Sequence, residues 1–184
     1  MVAGCANVHE VLNHPVATTV APGLTNSIKS TFYADRYDTI DPSKMVPTAF
    51  ANTAGDKLGE DYVFIGFNSK PNKNLTTTDV QYQANYYKPV VATGDKVMVE
   101  QAFFNRFPER TKSNKEYISG VIYLEYNCPQ QTATIKALKA YSGRNLDGVL
   151  VSDTKLSPKE QVKFEILPKT IDAKIYSKVC VQNR

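Results

Sequence analysis

Three kinds of side chain in this 184-residue chain could do chemistry: three cysteines, two histidines and a scatter of lysines and arginines. Cys128 closes an alternating apolar run, and Cys180 sits between Val179 and Val181. Two thiols in apolar surroundings either join as a disulfide or stay apart as small hydrophobes. His9 and His14 lie five residues apart with no cysteine near enough to complete a metal set. They read as solvated histidines. Both are remote from Cys128 and Cys180, so no Cys–His nucleophile pairing is in view. No Gly-x-Ser-x-Gly and no phosphate-cradling loop occur either. The expectation is a protein without catalytic residues, metal or cofactor. The remaining chemistry is charge. Arg106, Arg110, Lys112 and Lys115 crowd one short stretch against Glu109, while Lys136, Lys139 and Arg144 follow further on. Such residues either solvate a connection or contact an acidic partner. The net charge of +4 falls short of a nucleic-acid footprint.

An odd cysteine count leaves one thiol to explain. If Cys128 pairs with Cys180, Cys5 is left over. Val2-Ala3-Gly4-Cys5 has the apolar-small-small-Cys form of a bacterial lipobox. Acylation of Cys5 would fasten a folded domain to one bilayer leaflet. No run of eighteen apolar residues exists to span a membrane. Residues 6–28 show no sustained period, and residues 1–29 read as a lipidated tether. One domain, residues 30–184, is expected to follow.

These residues need elements to position them. Eleven tyrosines sit among Thr, Val and Ile, a composition that favours sheet. The dominant stretch is Tyr117 to Gly148. Ile118, Ile122, Leu124, Tyr126 and Cys128 share one face of an extended chain, and Ser119, Val121, Tyr123 and Glu125 share the other. Pro129 ends this strand, and a second runs from Thr132 to Tyr141, making a hairpin. Further strands are expected at Thr31–Ile40, Met45–Thr53, Tyr62–Phe67, Val80–Val91, Val97–Phe104, Val149–Ser152 and Gln161–Leu167. Thr93-Gly94-Asp95-Lys96 reads as a tight turn, Ser69–Asp79 as a loop, and Arg106–Lys115 as a basic loop. Lys44–Asn52 faintly echoes Lys96–Asn105. At the C-terminus Ile171, Ile175 and Val179 are four apart, a helical stripe with Lys174 and Lys178 near its negative end. They also fit strand alternation, but Pro168 suits a helix start. The fold class is therefore α+β: an antiparallel sheet of about six or more strands with a C-terminal helix. A Cys128–Cys180 bridge would fasten that helix and close a loop of about fifty residues, worth about 4 kcal/mol in the chain-entropy model. It would require an oxidising compartment, in keeping with an exported lipoprotein.

The run Gly120–Cys128, the stretch Ala137–Gly148 and the segment Ile171–Val181 around Cys180 resemble the surface-adhesin protein E family of Gram-negative lipoproteins. Tyr86-Tyr87, Thr93-Gly94-Asp95 and Val97–Asn105 resemble that family's opening hairpin; Phe32-Tyr33-Ala34-Asp35 offers a second register for it. The likeness is strongest over residues 80–184. The family's Phe-Trp before its Gly-rich turn is replaced by Tyr141-Ser142-Gly143-Arg144. The resemblance implies a six-stranded sheet with a disulfide-clasped helix and an outer-membrane, lipid-anchored location. It also implies an adhesin for host vitronectin, laminin or plasminogen, and a capacity to form homodimers. The competing expectation is a structural or assembly lipoprotein that contacts other envelope proteins.

Overall fold

The computed structural model describes residues 46–54, 58–71, 80–111 and 113–181. A short helix α1 (Thr48–Thr53) precedes strands β1 (Val63–Pro71), β2 (Val80–Thr93), β3 (Lys96–Arg110), β4 (Glu116–Asn127) and β5 (Thr132–Tyr141). Strands β6 (Leu150–Lys155) and β7 (Val162–Glu165) follow, then helix α2 (Ile171–Tyr176), which widens into a π-helical turn at Ser177–Val181. All strand pairs are antiparallel, in the sequential order β1-β2-β3-β4-β5-β6. β6 pairs with Ala137–Tyr141 of β5, and β7 with Thr132–Ile135. The two therefore act as one interrupted edge. The Leu156 N–H bonds to the Lys136 carbonyl within the interruption, and the Ile166 N–H extends the β7 pairing to the Gln131 carbonyl.

Cross-strand register sorts the side chains into rows. Val99, Leu124, Ile135 and Val162 form one row, and Val97, Tyr126, Ala133 and Phe164 the next. Both belong to the main core, with Ile171, Ile175 and Val179 of the C-terminal segment packed on them. Tyr126, Leu124, Ile135 and Ile175 are fully buried. The opposite face carries a second core: Phe67, Tyr82, Ala84, Ala102 and Phe104 under Val46, Phe50 and Ala54. Gly120 lies between Phe103 and Ala140 in its row. A Cβ there would sit 2.5 Å from both the Phe103 ring and the Lys139 carbonyl. Only glycine lets that ring lie against the strand.

The helix is pinned three ways. The Cys128–Cys180 disulfide is present, with Cα atoms 5.4 Å apart. The Tyr176 hydroxyl donates to the Cys128 carbonyl at 2.7 Å, and the Tyr126 hydroxyl to Asp172 at 3.2 Å.

Several expectations need correction. Residues 48–53 of the expected Met45–Thr53 strand form α1. Pro47 precedes the first turn with φ −57°, and Val46, Phe50 and Ala54 are buried at helical spacing, which outweighed the Val46-Thr48-Phe50 alternation. The echo between residues 44–52 and 96–105 therefore pairs a helix with a strand and is no structural repeat among the described residues. Arg106–Arg110 is not loop. β3 carries it past a wide bulge and re-pairs Glu109 with Tyr117 and Arg110 with Glu116. α2 begins at Ile171 rather than at Pro168. Thr170 caps it, accepting from the Ala173 N–H at 3.2 Å, after Lys169 turns with φ +64°. The expected Thr31–Ile40 strand, His9, His14 and Cys5 lie outside the described residues.

Cys128→Ser with Cys180→Ser should lower unfolding free energy by roughly 2–5 kcal/mol; denaturant unfolding of oxidised wild type against the double variant checks this, and equal stability would contradict a structural clasp. Gly120→Ala should cost about 1–3 kcal/mol through the forced Phe103 shift, read as a drop in thermal midpoint.

Candidate binding face

The face opposite α2 changes character beyond the second core. Lys88, Glu100, Tyr123, Ala137 and Lys155 stand in one cross-strand row spanning β2 to β6. The adjacent row carries Lys139 opposite Asp153, with Val121 between Lys139 and β3. On the other side Glu125 is paired with Thr134. Their parity follows from strand alternation. A bulge at Lys136 adds one residue to β5 between the partners of Tyr123 and Leu124. The Lys136 side chain reaches Glu125 at 3.2 Å and Gln161 at 2.9 Å.

These side chains neutralise one another. Lys96 and Lys136 both reach Glu125 at 3.2 Å. Partial burial alone would raise the Glu125 carboxyl, but the hydrogen bonds and charges of Lys136 and Lys96 outweigh it and hold it below the ordinary 4.5. Lys139 meets Asp153 at 3.8 Å. Glu100 accepts from the Tyr62 hydroxyl at 2.7 Å and faces Lys88 at 3.4 Å, while the Lys88 ammonium lies 4.9 Å from the Tyr62 ring centre. Burial first, then the hydrogen bond and charge of Glu100, push the Tyr62 phenol well above its usual range. Tyr123 is raised too, chiefly by burial and then by Glu100, against the opposing pull of Lys139 and Lys88. All these phenols stay protonated near neutrality, so they present O–H groups that donate or accept. The arrangement suits reversible contact with a protein surface: amphipathic rings, exchangeable ion pairs and little flexible backbone.

The seven basic residues singled out from the sequence fall in different places. Lys136 and Lys139 lie on this face. Arg106 is held against rings, its guanidinium 4.5 Å from the Phe107 centre and 5.8 Å from that of Tyr82. Arg110 and Lys115 sit at the β3–β4 turn, where Arg110 pairs with Glu116 at 2.5 Å and with Asn114 at 2.9 Å. Lys112 lies outside the described residues. Arg144 is exposed on the β5–β6 loop. That loop is tied down by Ser119, whose hydroxyl donates to the Gly143 carbonyl and accepts from the Leu146 N–H. Sequence reasoning missed Lys88, Glu100, Tyr62 and Lys96 as members of the face. Their strand parity was the available signal, but parity does not reveal which strands are neighbours. Among the described residues no cluster of three His, Cys, Asp or Glu side chains could hold a metal ion. No described helix is long and apolar enough to cross a membrane.

A meandering sheet clasped to its own C-terminal helix by one disulfide now has a family to which it can be assigned. The surface-adhesin protein E family profile matches residues 79–181, more than half of the chain, and the protein belongs to that family of surface adhesins. Among solved structures it is similar to protein E from non-typeable Haemophilus influenzae. The two share 13% identity, the match covers 78% of this chain and 82% of that one, and the TM-score is 0.44. No curated protein sequence matches the chain.

The Glu125 carboxyl is depressed in the folded state. Its contribution is therefore complete above the unfolded value near 4.5 and is lost as pH falls through the lower folded value. Glu125→Gln should cost on the order of 0.5–1 kcal/mol at neutral pH, and the gap to wild type should close on acidification. Urea unfolding at neutral and strongly acid pH reads this, and a pH-independent gap would count against the ion-pair account.

Proposed function

We propose that this protein is a lipid-anchored adhesin of a bacterial outer membrane that uses its Tyr–Lys sheet face to hold extracellular protein partners. The observation that carries the reading is the row Lys88–Glu100–Tyr123–Ala137–Lys155, a half-exposed mixed-charge surface on rigid strands, in a chain that belongs to an adhesin family. Residues 1–29 would form the tether, with Cys5 as its acylation site, and residues 30–184 the domain it presents. A disulfide supports folding outside the cytosol. Host matrix or serum proteins of the vitronectin, laminin and plasminogen class are the partners to test.

The basic residues divide by role. Lys136 and Lys139, with Tyr123 and Lys88, would form the contact itself. Arg106, Arg110, Lys112, Lys115 and Arg144 would steer acidic partners at long range, an effect on association rate that salt weakens.

Tyr123→Ala with Lys139→Ala should weaken binding to an immobilised matrix protein by about tenfold or more, as truncated interface anchors do. Arg110→Ala, Lys112→Ala and Lys115→Ala together should mainly slow association at low salt. Unchanged affinity in the first variant would remove the face from the site. Protease shaving of intact cells addresses location, since full protection would favour a periplasmic assembly role over adhesion. Intact mass of protein expressed from a full leader would reveal acylation of Cys5.

A further inference from the structure

β1 stops pairing with β2 at Val63–Tyr87, whereas β2 and β3 continue together to Thr93–Lys96. The hairpin therefore runs past its outer neighbour. A bulge between Pro89 and Val91 interrupts the alternation there, so two successive valines both face out. Val90 and Val91 are each 53% exposed, and Val181, beyond the disulfide, is 58% exposed. The hairpin and the C-terminal turn meet, since Pro89–Ala92, Val179, Cys128 and Cys180 line one cleft of about 360 Å³. Lys96 stands at the tip of the hairpin beside its turn, opposite Thr93, and Lys178 lies exposed on the neighbouring turn. Asp95 is the one carboxylate within residues 88–96.

We propose that this end of the molecule is a membrane-docking element. Val90, Val91 and Val181 enter the interfacial region of a bilayer, while Lys96 and Lys178 face anionic lipid headgroups. Exposed apolar side chains gathered at one end mark an interaction site. The lysines beside them, Lys96 and Lys178, match an anionic lipid surface, where apolar insertion and headgroup attraction add. The Lys96 side chain is about half exposed, so its ion pair with Glu125 exchanges readily. The element is also preorganised. The Cys128 N–H donates to the Asp95 carbonyl at 2.9 Å, and the disulfide holds the C-terminal turn to the same point. Docking therefore orders little new chain. Such docking would set the domain's orientation on the membrane, leaving Lys88, Tyr123, Lys136 and Lys139 of the sheet face to other partners.

The test uses the full chain carrying Cys5→Ser, so that no acyl anchor contributes and the outcome is independent of the tether. Sedimentation with phosphatidylethanolamine–phosphatidylglycerol vesicles should show salt-sensitive binding that pure phosphatidylcholine vesicles do not match. Val90→Ser with Val91→Ser should lower partition by about tenfold or more, and Lys96→Glu or Lys178→Glu by about fivefold or more each. Val149→Ser, at another exposed position, should change nothing. The chain has no tryptophan, so Val91→Trp gives a clean signal whose emission should shift to the blue on adding anionic vesicles. Absence of vesicle binding, binding untouched by the valine and lysine changes, or valine-dependent self-association in place of vesicle binding would each overturn the proposal.

Discussion

Everything on the α2 side of the sheet depends on keeping a very short helix in place. Six residues of α-helix are too few to persist in water on their own, because nucleation costs more than so few hydrogen bonds return. The disulfide changes that balance by making the search for the docked position local. It works together with two phenols. Tyr126 holds Asp172 at the helix start, and Tyr176 holds the carbonyl of Cys128 itself. The widened turn at Ser177–Val181 continues the helix and places Val179 and Cys180 inward, both buried. Without the clasp, the Val97–Tyr126–Ala133–Phe164 row would lose cover, and a one-layer sheet cannot supply a core alone.

The opposite face shows what happens where no such clasp exists. α1 covers only the part built from Phe67, Tyr82, Ala84 and Phe104, with Phe50 against Phe67 at 6.1 Å between ring centres. Beyond that patch the strands turn to side chains that tolerate partial exposure. Tyrosine suits this boundary because its ring buries apolar area while its hydroxyl finds a partner, as Tyr62 does on Glu100 and Tyr86 on the Ala54 carbonyl. The mixed charge also has a consequence. Each carboxylate on the face has a lysine beside it, so the surface offers geometric specificity more than a strong field.

Legibility followed the range of the interactions. The β4–β5 hairpin could be read because alternation, Pro129 and the flanking turns are local. The Cys128–Cys180 pairing could be read because few thiols compete. α1 was misread because Val46, Thr48 and Phe50 satisfy a strand period as well as Val46, Phe50 and Ala54 satisfy a helical one, and only packing on Phe67 decides. Arg106–Arg110 was misread because a run of charges around a proline resembles a loop, whereas re-pairing with β4 after a bulge holds it extended. The candidate binding face was least legible. Its members come from five strands, and which residue stands opposite which depends on register shifts near Pro89, Lys136 and Phe104.

Those register shifts carry a further implication. A bulge flips the parity of every residue after it, so each of these strands belongs to one pattern on one side of its bulge and to another beyond it. In β2 the shift at Pro89/Val91 ends the regular alternation that holds Tyr87 in the main core, and it leaves Val90 and Val91 outside. In β5 the extra Lys136 lets Ile135 and Leu138 both point to the core while Lys136 and Lys139 both reach acidic partners on the other face. A regular strand, alternating every second residue, could not place all four so. The irregularities thus create the surfaces: without them the same composition would yield a flatter sheet with its lysines and valines dispersed.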